Sequence, residues 1–529
     1  MTIIQRPLRA CFFWLEGWLD RIFPPAWNPL YHLGTLGFFY LWVVTVSGIY
    51  VYIFFDTGTT EAYDSIEYMT YEQWYLAGIM RSLHRYASDG MVLMMGVHML
   101  REFALDRYRG KHWFTWVTGL PVLWLVFIAG ITGYWLVWDM LAQYVAQATS
   151  EWLDWLPIFG VPVVRNFLAP NLLDDRFFTL LTFIHIAVPI ILLFVLWIHL
   201  QRVSRPEVNP ARGLALGTLL MLVVLSLVKP AESQGPANLS QVPAELGLDW
   251  FYLFAYPIMD IWSSGALWVF LVTLSLIVAA LPWLPPMRRV PVARVDLANC
   301  NGCTRCAEDC PYSAVTMQPR SDGLPFEREA VVDPALCVAC GICAGACPTS
   351  TPFRRTGELV PGIDLPSRSL ADLRTRIETA VADLSGDARL LVFGCDHGVD
   401  LGRQDLPGLA TLKLPCVAAL PPAFIDYVIS RDLADGVVLA GCREGACYYR
   451  FGTEWTQERI ERRRDPYLRA RVPRERLCTI WAAPTDRAAA ERALRAFAAS
   501  LESLPPDLGR TRQRATPAKP QVEELSDHG

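Results

Sequence analysis

Charge is scarce in this chain. Only 19% of its 529 residues are charged against 53% hydrophobic, and the apolar residues are concentrated before about residue 286. No Walker loop and no GxGxxG fingerprint occurs, so the chain carries no familiar fold of its own for NAD(P) or FAD. No Ser, His and acid arrangement marks it as a hydrolase. A net charge of −5, with no basic patch beyond short arginine-bearing loops, excludes a nucleic-acid partner. The first residues do not read as a cleavable signal peptide either. Cys11 to Phe23 mixes Phe12, Phe13, Trp14, Leu15 and Trp18 with Glu16, Asp20 and Arg21, too short and too aromatic for one, and residues 1–30 read instead as a helix in the membrane interface.

What the chain does have is apolar length. Six stretches, near 31–55, 76–104, 113–139, 176–202, 212–230 and 262–284, are long and apolar enough to cross a hydrocarbon core. Arg101, Arg107, Arg109 and Lys111 follow the second, Arg202, Arg205 and Arg212 the fourth, and Arg288, Arg289 and Arg294 the sixth. The alternate loops are nearly free of Lys and Arg and hold acids such as Asp56, Glu61, Glu151 and Glu232. The positive-inside rule then places both termini, and everything after 286, in the cytoplasm.

Inside these stretches lie two pairs of histidines, His84 with His98 and His185 with His199, each separated by fourteen residues. Fourteen helical residues fall roughly 40° short of four turns, so each pair projects from one face, about 21 Å apart along the axis. Two such helices facing each other would hold two bis-histidine haems, stacked at two depths of the bilayer, with His84 and His185 toward the outer side and His98 and His199 toward the inner. A single intramembrane histidine can be a satisfied packing residue. Two equal spacings on separate spans argue against that.

With these residues in view, positions 25 to 285 resemble cytochrome b of the quinol-oxidising bc-type complexes. Gly34 and Gly48, and Gly119 and Gly133, repeat the fourteen-residue interval, as the family's glycines do where a haem face needs close backbone approach. The resemblance implies that Arg81 and Arg101 look toward haem propionates. Gly133-Tyr134-Trp135-Leu136-Val137-Trp138 is similar to the family's Gly-Tyr-x-Leu-Pro-Trp, with Val137 for proline, and His185-Ile186-Ala187-Val188-Pro189 to its fourth-helix motif. Leu248-Asp249-Trp250-Phe251-Tyr252 resembles the segment beginning Pro-Glu-Trp-Tyr, which makes Asp249 the candidate proton acceptor of an outer quinol site. The proline and first tyrosine are gone, so a residual structural loop with a solvated acid stays open beside it. The family's last two helices are absent, because Pro282, Pro285 and Pro286 end the apolar region.

The next signal is Cys300-x2-Cys303-x2-Cys306-x3-Cys310-Pro311, repeated as Cys337-x2-Cys340-x2-Cys343-x3-Cys347-Pro348. This is the bacterial two-cluster ferredoxin pattern, in which the fourth cysteine of each run ligates the other cluster. One [4Fe–4S] is therefore assigned to Cys300, Cys303, Cys306 and Cys347, and the other to Cys337, Cys340, Cys343 and Cys310. Two zinc sites would need only the CxxC pairs and leave the remaining cysteines unexplained. Disulfides are unsuited to the cytoplasmic side.

Beyond 386 the pattern alternates. Leu390 to Phe393, Val417 to Leu420, Val437 to Ala440 and Thr479 to Ala482 read as buried strands, Pro422 to Arg431 and Arg487 to Leu501 as helices, giving a small parallel α/β domain. Cys395, Cys416, Cys442 and Cys447 cluster at strand ends, which in an open parallel sheet face one crevice. Buried free cysteines are also common. Gly441-Cys442 and Gly445-Ala446-Cys447-Tyr448 resemble the delta subunit of methyl-viologen-reducing hydrogenase, which implies a [2Fe–2S] held by Cys395, Cys416, Cys442 and Cys447. His397 is an alternative, near where the family commonly has a further cysteine. Cys478 and Cys11 read as structural.

The fold class expected is a multi-domain membrane protein: an all-α, six-span, cytochrome b-like bundle, then an α+β ferredoxin-like domain and a small α/β parallel-sheet domain. The boundaries are 1–30, 31–286, 290–355, a linker at 356–385, 386–502 and a disordered tail at 503–529. The function expected is a quinone oxidoreductase subunit of the cytoplasmic membrane, carrying electrons between a soluble flavoprotein or dehydrogenase and the quinone pool. Its cofactors are two haem b, two [4Fe–4S] and one [2Fe–2S], with quinone as substrate. Bc-type relatives imply a homodimer within a larger complex. Quinol-driven reduction of a low-potential acceptor uses the same residues, and a redox-sensing membrane anchor is the reading of another class.

Overall fold

Long apolar runs broken by charged turns become helices wherever no other partner for the backbone exists. In the computed structural model, residues 3–167, 173–201, 203–243, 245–285, 290–353, 359–382, 384–386, 388–402, 408–505 and 508 are described. They divide into two units, Met1–Arg289 and Val290–Gly529.

The first unit is helical: α1 (Gln5–Leu19), α2 (Leu33–Phe54), α3 (Ile79–Ala104), α4 (Trp113–Val137), α5 (Met140–Asp154), α6 (Asp175–Leu200), α7 (Arg212–Val228) and α8 (Ser264–Ala280). Packing is pairwise, α2 on α3 and α4 on α6. Among the described residues four helices are long and apolar enough to cross a membrane: Leu33–Phe54, Gly110–Val137, Asp175–Leu200 and Ser264–Trp283. Four of the six expected stretches meet that test of length and composition. Helix α3 has the length but carries Arg81, Arg85, Asp89 and Arg101, and α7 has only 17 residues. On α6, Phe183, Ile190, Phe194 and Trp197 are each more than half exposed. Water would penalise such a surface and lipid does not.

Helix α5 was not anticipated. Asp139 caps it, accepting from the Ala142 N–H at 2.8 Å, and Leu141, Ala142, Val145, Ala146 and Trp152 form its buried face. Helix α1 lies within the expected 1–30 and leaves Trp14 and Trp18 exposed, while Glu16 is fully buried against Arg101.

In the second unit a hairpin, β1 (Val315–Pro319) against β2 (Arg328–Val332), is followed by the short helix α9 (Ile342–Ala346). Helix α10 (Leu370–Ala382) falls where a linker at 356–385 was expected. It is ordered because Leu370, Leu373 and Ile377 lie on one face and enter the core, each burial contributing about 1.5–3 kcal/mol. Then come β3 (Leu390–Cys395), β4 (Leu409–Leu414), α11 (Pro422–Ser430), β5 (Gly436–Gly441), α12 (Gly452–Ile460), β6 (Leu477–Trp481) and α13 (Arg487–Glu502). The four strands form one parallel sheet in the order β4-β3-β5-β6. One strand differs from expectation. Val417–Ala419 is a 3-10 turn, and the strand is Leu409–Leu414, whose alternation and Lys413 disguised it as surface. Of the tail expected at 503–529, residues 506–507 and 509–529 lie outside the described residues.

Candidate redox centres

Each of the four membrane histidines faces a glycine of the partner helix. A Cβ on Gly48 would stand 2.8 Å from His84 Cε1, and on Gly34 3.7 Å from His98 Cε1. Across the second helix pair the distances are 3.0 Å from Gly133 to His185 and 3.4 Å from Gly119 to His199. The fourteen-residue interval of the glycines therefore answers that of the histidines. Between the helix pairs, the rings of His84 and His185 lie 6.2 Å apart, centre to centre. Two imidazoles on opposite faces of one iron, with metal–nitrogen bonds of about 2 Å, require about 6 Å. The spacing fits a haem.

Proton placement fits as well. His84 Nδ1 is 2.9 Å from the Val44 carbonyl, which can only accept. His185 Nδ1 meets Thr132 Oγ1 at 3.1 Å and His199 Nδ1 meets Thr118 Oγ1 at 3.1 Å. Those hydroxyls give their own protons to the carbonyls of Ile128 and Phe114, at 2.8 Å each. They therefore accept from Nδ1–H and leave Nε2 as the free lone pair. Thr118 and Thr132 were missed from the sequence, although a signal exists: a hydroxyl residue directly precedes Gly48, Gly119 and Gly133, and Leu33 precedes Gly34.

The arginines are held by acids of the chain. Arg101 Nη2 lies 2.8 Å from Glu16 Oε1, and Arg81 donates to Ser233 Oγ at 2.8 Å, with Thr70 and Glu67 beside it. Asp249 is engaged rather than solvated. It caps the Trp250–Leu253 turn, accepting from the Phe251 N–H at 2.9 Å, and its other oxygen takes bonds from Arg85 and Tyr134. Burial favours its neutral form, but the Tyr134 hydroxyl and the Arg85 guanidinium outweigh that and hold the carboxyl below its ordinary range. Arg85 also pairs with Asp89, next to Ser88, whose hydroxyl meets that of Tyr252 at 2.6 Å.

In the second unit the ferredoxin cysteines lie close enough to feel one another's charge, and Cys343 feels both Cys340 and Cys306. Cys306 feels Cys303, Cys347 and Cys300, while Cys340 feels Cys310 and Cys337. The fourth cysteine of each run, Cys310 or Cys347, is thus near thiols of the other run. Burial, then neighbouring thiols, push Cys306 and Cys340 up to about 12 and Cys343 well up. Such thiols ionise only against bound cations, a donor set suited to iron.

Strand geometry assembles the last group. Cys395 ends β3, Cys416 follows β4 and Cys442 follows β5, so three adjacent parallel strands deliver them to one edge. Cys395 and Cys442 Sγ are 3.8 Å apart, and a Cβ on Gly452 would run into Cys416 Sγ and come within 3.4 Å of Cys447 Sγ. Cys416 and Cys442 are pushed up chiefly by donating to Cys447 and Cys395, which are held down as acceptors. His397 stacks on Tyr448 at 3.6 Å between ring centres. Cys478 lies within β6, and Cys11 is exposed on α1.

An all-α membrane unit with paired histidines, joined to a thiol-rich α/β unit, defines a membrane electron-transfer protein. Comparison with known proteins gives the particulars. Residues 18–205 match the family model of cytochrome b/b6/petB, residues 299–351 that of the 4Fe-4S dicluster domain, and residues 399–505 that of the methyl-viologen-reducing hydrogenase delta subunit. The chain carries these three domains in that order, which implies haem b and iron–sulfur clusters. A solved structure described as "Hyperthermophilic respiratory Complex III" is similar at 19% identity over 48% of this chain and 75% of that one, with a TM-score of 0.39.

Proposed function

We propose that this chain is the electron-transfer subunit of a quinone oxidoreductase in the cytoplasmic membrane. A flavoprotein or dehydrogenase docks on its C-terminal domain, and the quinone pool is the other terminus. The observation that carries the reading is the matching of four histidines to four glycines across two helix pairs, on a chain that continues into cluster-binding domains. Haem and iron–sulfur groups, when bound, supply one-electron redox chemistry. The residues do the rest. His84 with His185 and His98 with His199 hold two haems within a six-span domain whose α3 and α7 complete the bundle. Cys300, Cys303, Cys306 and Cys347 hold one [4Fe–4S], Cys337, Cys340, Cys343 and Cys310 the other, and Cys395, Cys416, Cys442 and Cys447 a [2Fe–2S]. Both termini face the cytoplasm, and the complex is dimeric.

Asp249 is better suited to anchoring the outer loop than to taking a proton from quinol, because Arg85 and Tyr134 already occupy it. Quinone exchange is therefore placed at the inner haem. The test is reduction of ubiquinone and menaquinone analogues by the purified chain, with reduced methyl viologen as donor. His98→Ala should abolish quinone reduction while the clusters still reduce. A rate that survives loss of the inner haem overturns the reading.

A further inference from the structure

Within the second unit, thiols of two different domains share one buried apolar cluster. Cys340 and Ile342 of the dicluster domain pack with Cys416, Ala418 and Trp455 of the C-terminal domain, and Tyr449 lies against them. The backbones are pressed together. A Cβ on Gly341, whose φ is +79°, would stand 2.8 Å from the Ala419 Cβ, and one on Gly345 would collide with the Ala418 carbonyl oxygen. Helix α9, which carries Cys343, thus lies directly on the 417–419 turn that follows Cys416.

A buried ion pair ties the same two segments. Arg459 of α12 has a side chain 1% exposed, and its Nη2 meets Asp309 Oδ2 at 2.5 Å while Nη1 donates to the Ala418 carbonyl at 2.9 Å. Arg464 takes the other Asp309 oxygen at 2.6 Å. Asp309 directly precedes Cys310, and Ala418 lies two residues after Cys416. Desolvating such a pair costs about as much as its attraction returns, and the best-attested use of one is to fix registry. The registry fixed here is that of Cys310 relative to Cys416. Cys300, Cys306 and Cys347 share a neighbouring apolar cluster with Cys310 and Cys343, and it is Cys340 that enters the cluster of Cys416.

We infer that Arg459 and Asp309 are positioning residues that hold the Cys310, Cys337, Cys340 and Cys343 set against the Cys395, Cys416, Cys442 and Cys447 set. That makes the former the dicluster site that exchanges electrons with the C-terminal domain. The Cys300, Cys303, Cys306 and Cys347 set comes second. This rests on the reading above that all three sets hold clusters. One-electron exchange across the junction oxidises iron on one side and reduces iron on the other, with no bond made or broken.

The test is paramagnetic resonance of the reduced full chain, with iron and acid-labile sulfide counted on each sample. Removing the third cluster with Cys442→Ser and Cys447→Ser should abolish spin coupling on the [4Fe–4S] signal that Cys340→Ser alters, and leave the signal that Cys303→Ser alters unchanged. Arg459→Met should lose the same coupling at full iron content, and Arg459→Lys should regain part of it. Asp309→Asn, nearly isosteric, serves where Arg459→Met does not fold. Coupling found instead on the Cys303-sensitive signal, or left intact in Asp309→Asn and Arg459→Met, overturns the inference while quinone reduction stands. A chain without acid-labile sulfide overturns the ligand reading itself, and this placement with it.

Discussion

Single atoms decide how tightly each histidine is held. Alanine at Gly48 or Gly133 would put a Cβ within 3.0 Å of an imidazole, whereas at Gly34 it finds ordinary contact at 3.7 Å. Overpacking of this kind costs about 1–3 kcal/mol. Gly48→Ala and Gly133→Ala should therefore lower the content of the outer haem, and Gly34→Ala should spare the inner one. Optical spectra of the purified variants check this, and equal loss in all three would refute it. Thr132→Val is subtler. It removes the acceptor of the His185 Nδ1–H, which makes the imidazole a weaker donor to a ferric iron. A hydrogen bond worth about 1 kcal/mol corresponds to on the order of 40 mV for one electron, so the outer haem should titrate higher by about that much and the inner haem should not move.

Elements explain what the sequence could and could not disclose. The histidine spacing survives intact because a helix turns period directly into position. Cys395 and Cys442 were legible for the same reason, since strand ends in a parallel sheet share an edge. Leu409–Leu414 was not, because a half-exposed strand with Lys413 mimics surface and the apolar Val417–Ala419 beside it mimics a strand. Helix α10 resembles a linker in sequence because its three core residues are diluted by Arg374, Arg376 and Glu378. The pairing of Arg459 with Asp309 spans 150 residues, and no local pattern reports it. The strand-end geometry yields its own prediction. Alanine at Gly452, at the start of α12, should displace Cys416 and diminish the third cluster's paramagnetic signal, with the two [4Fe–4S] signals retained. Equal loss of all three would place the fault in folding.

At the scale of the molecule, the end of the membrane unit nearer His84 and His185 is closed by polar ties. Asp139 accepts from the Gln234 N–H at 2.9 Å and Arg81 reaches Ser233, so the segment between α7 and α8 is fastened to α3 and to the start of α5. Asp249 fastens the end of the same segment through Arg85 and Tyr134. Its pKa is depressed, so the carboxylate and the stability it contributes are fully present above its unfolded value near 3.8, and are lost only as pH falls through the lower folded value. Asp249 therefore changes no protonation between pH 5 and 8. The outer haem's midpoint potential should show the same pH slope in Asp249→Asn as in the parent chain, while its absolute value rises because the Arg85 charge loses its counter-ion. A slope that flattens in Asp249→Asn would mean that the carboxyl exchanges a proton when the haem is reduced, and would return this residue to quinol chemistry.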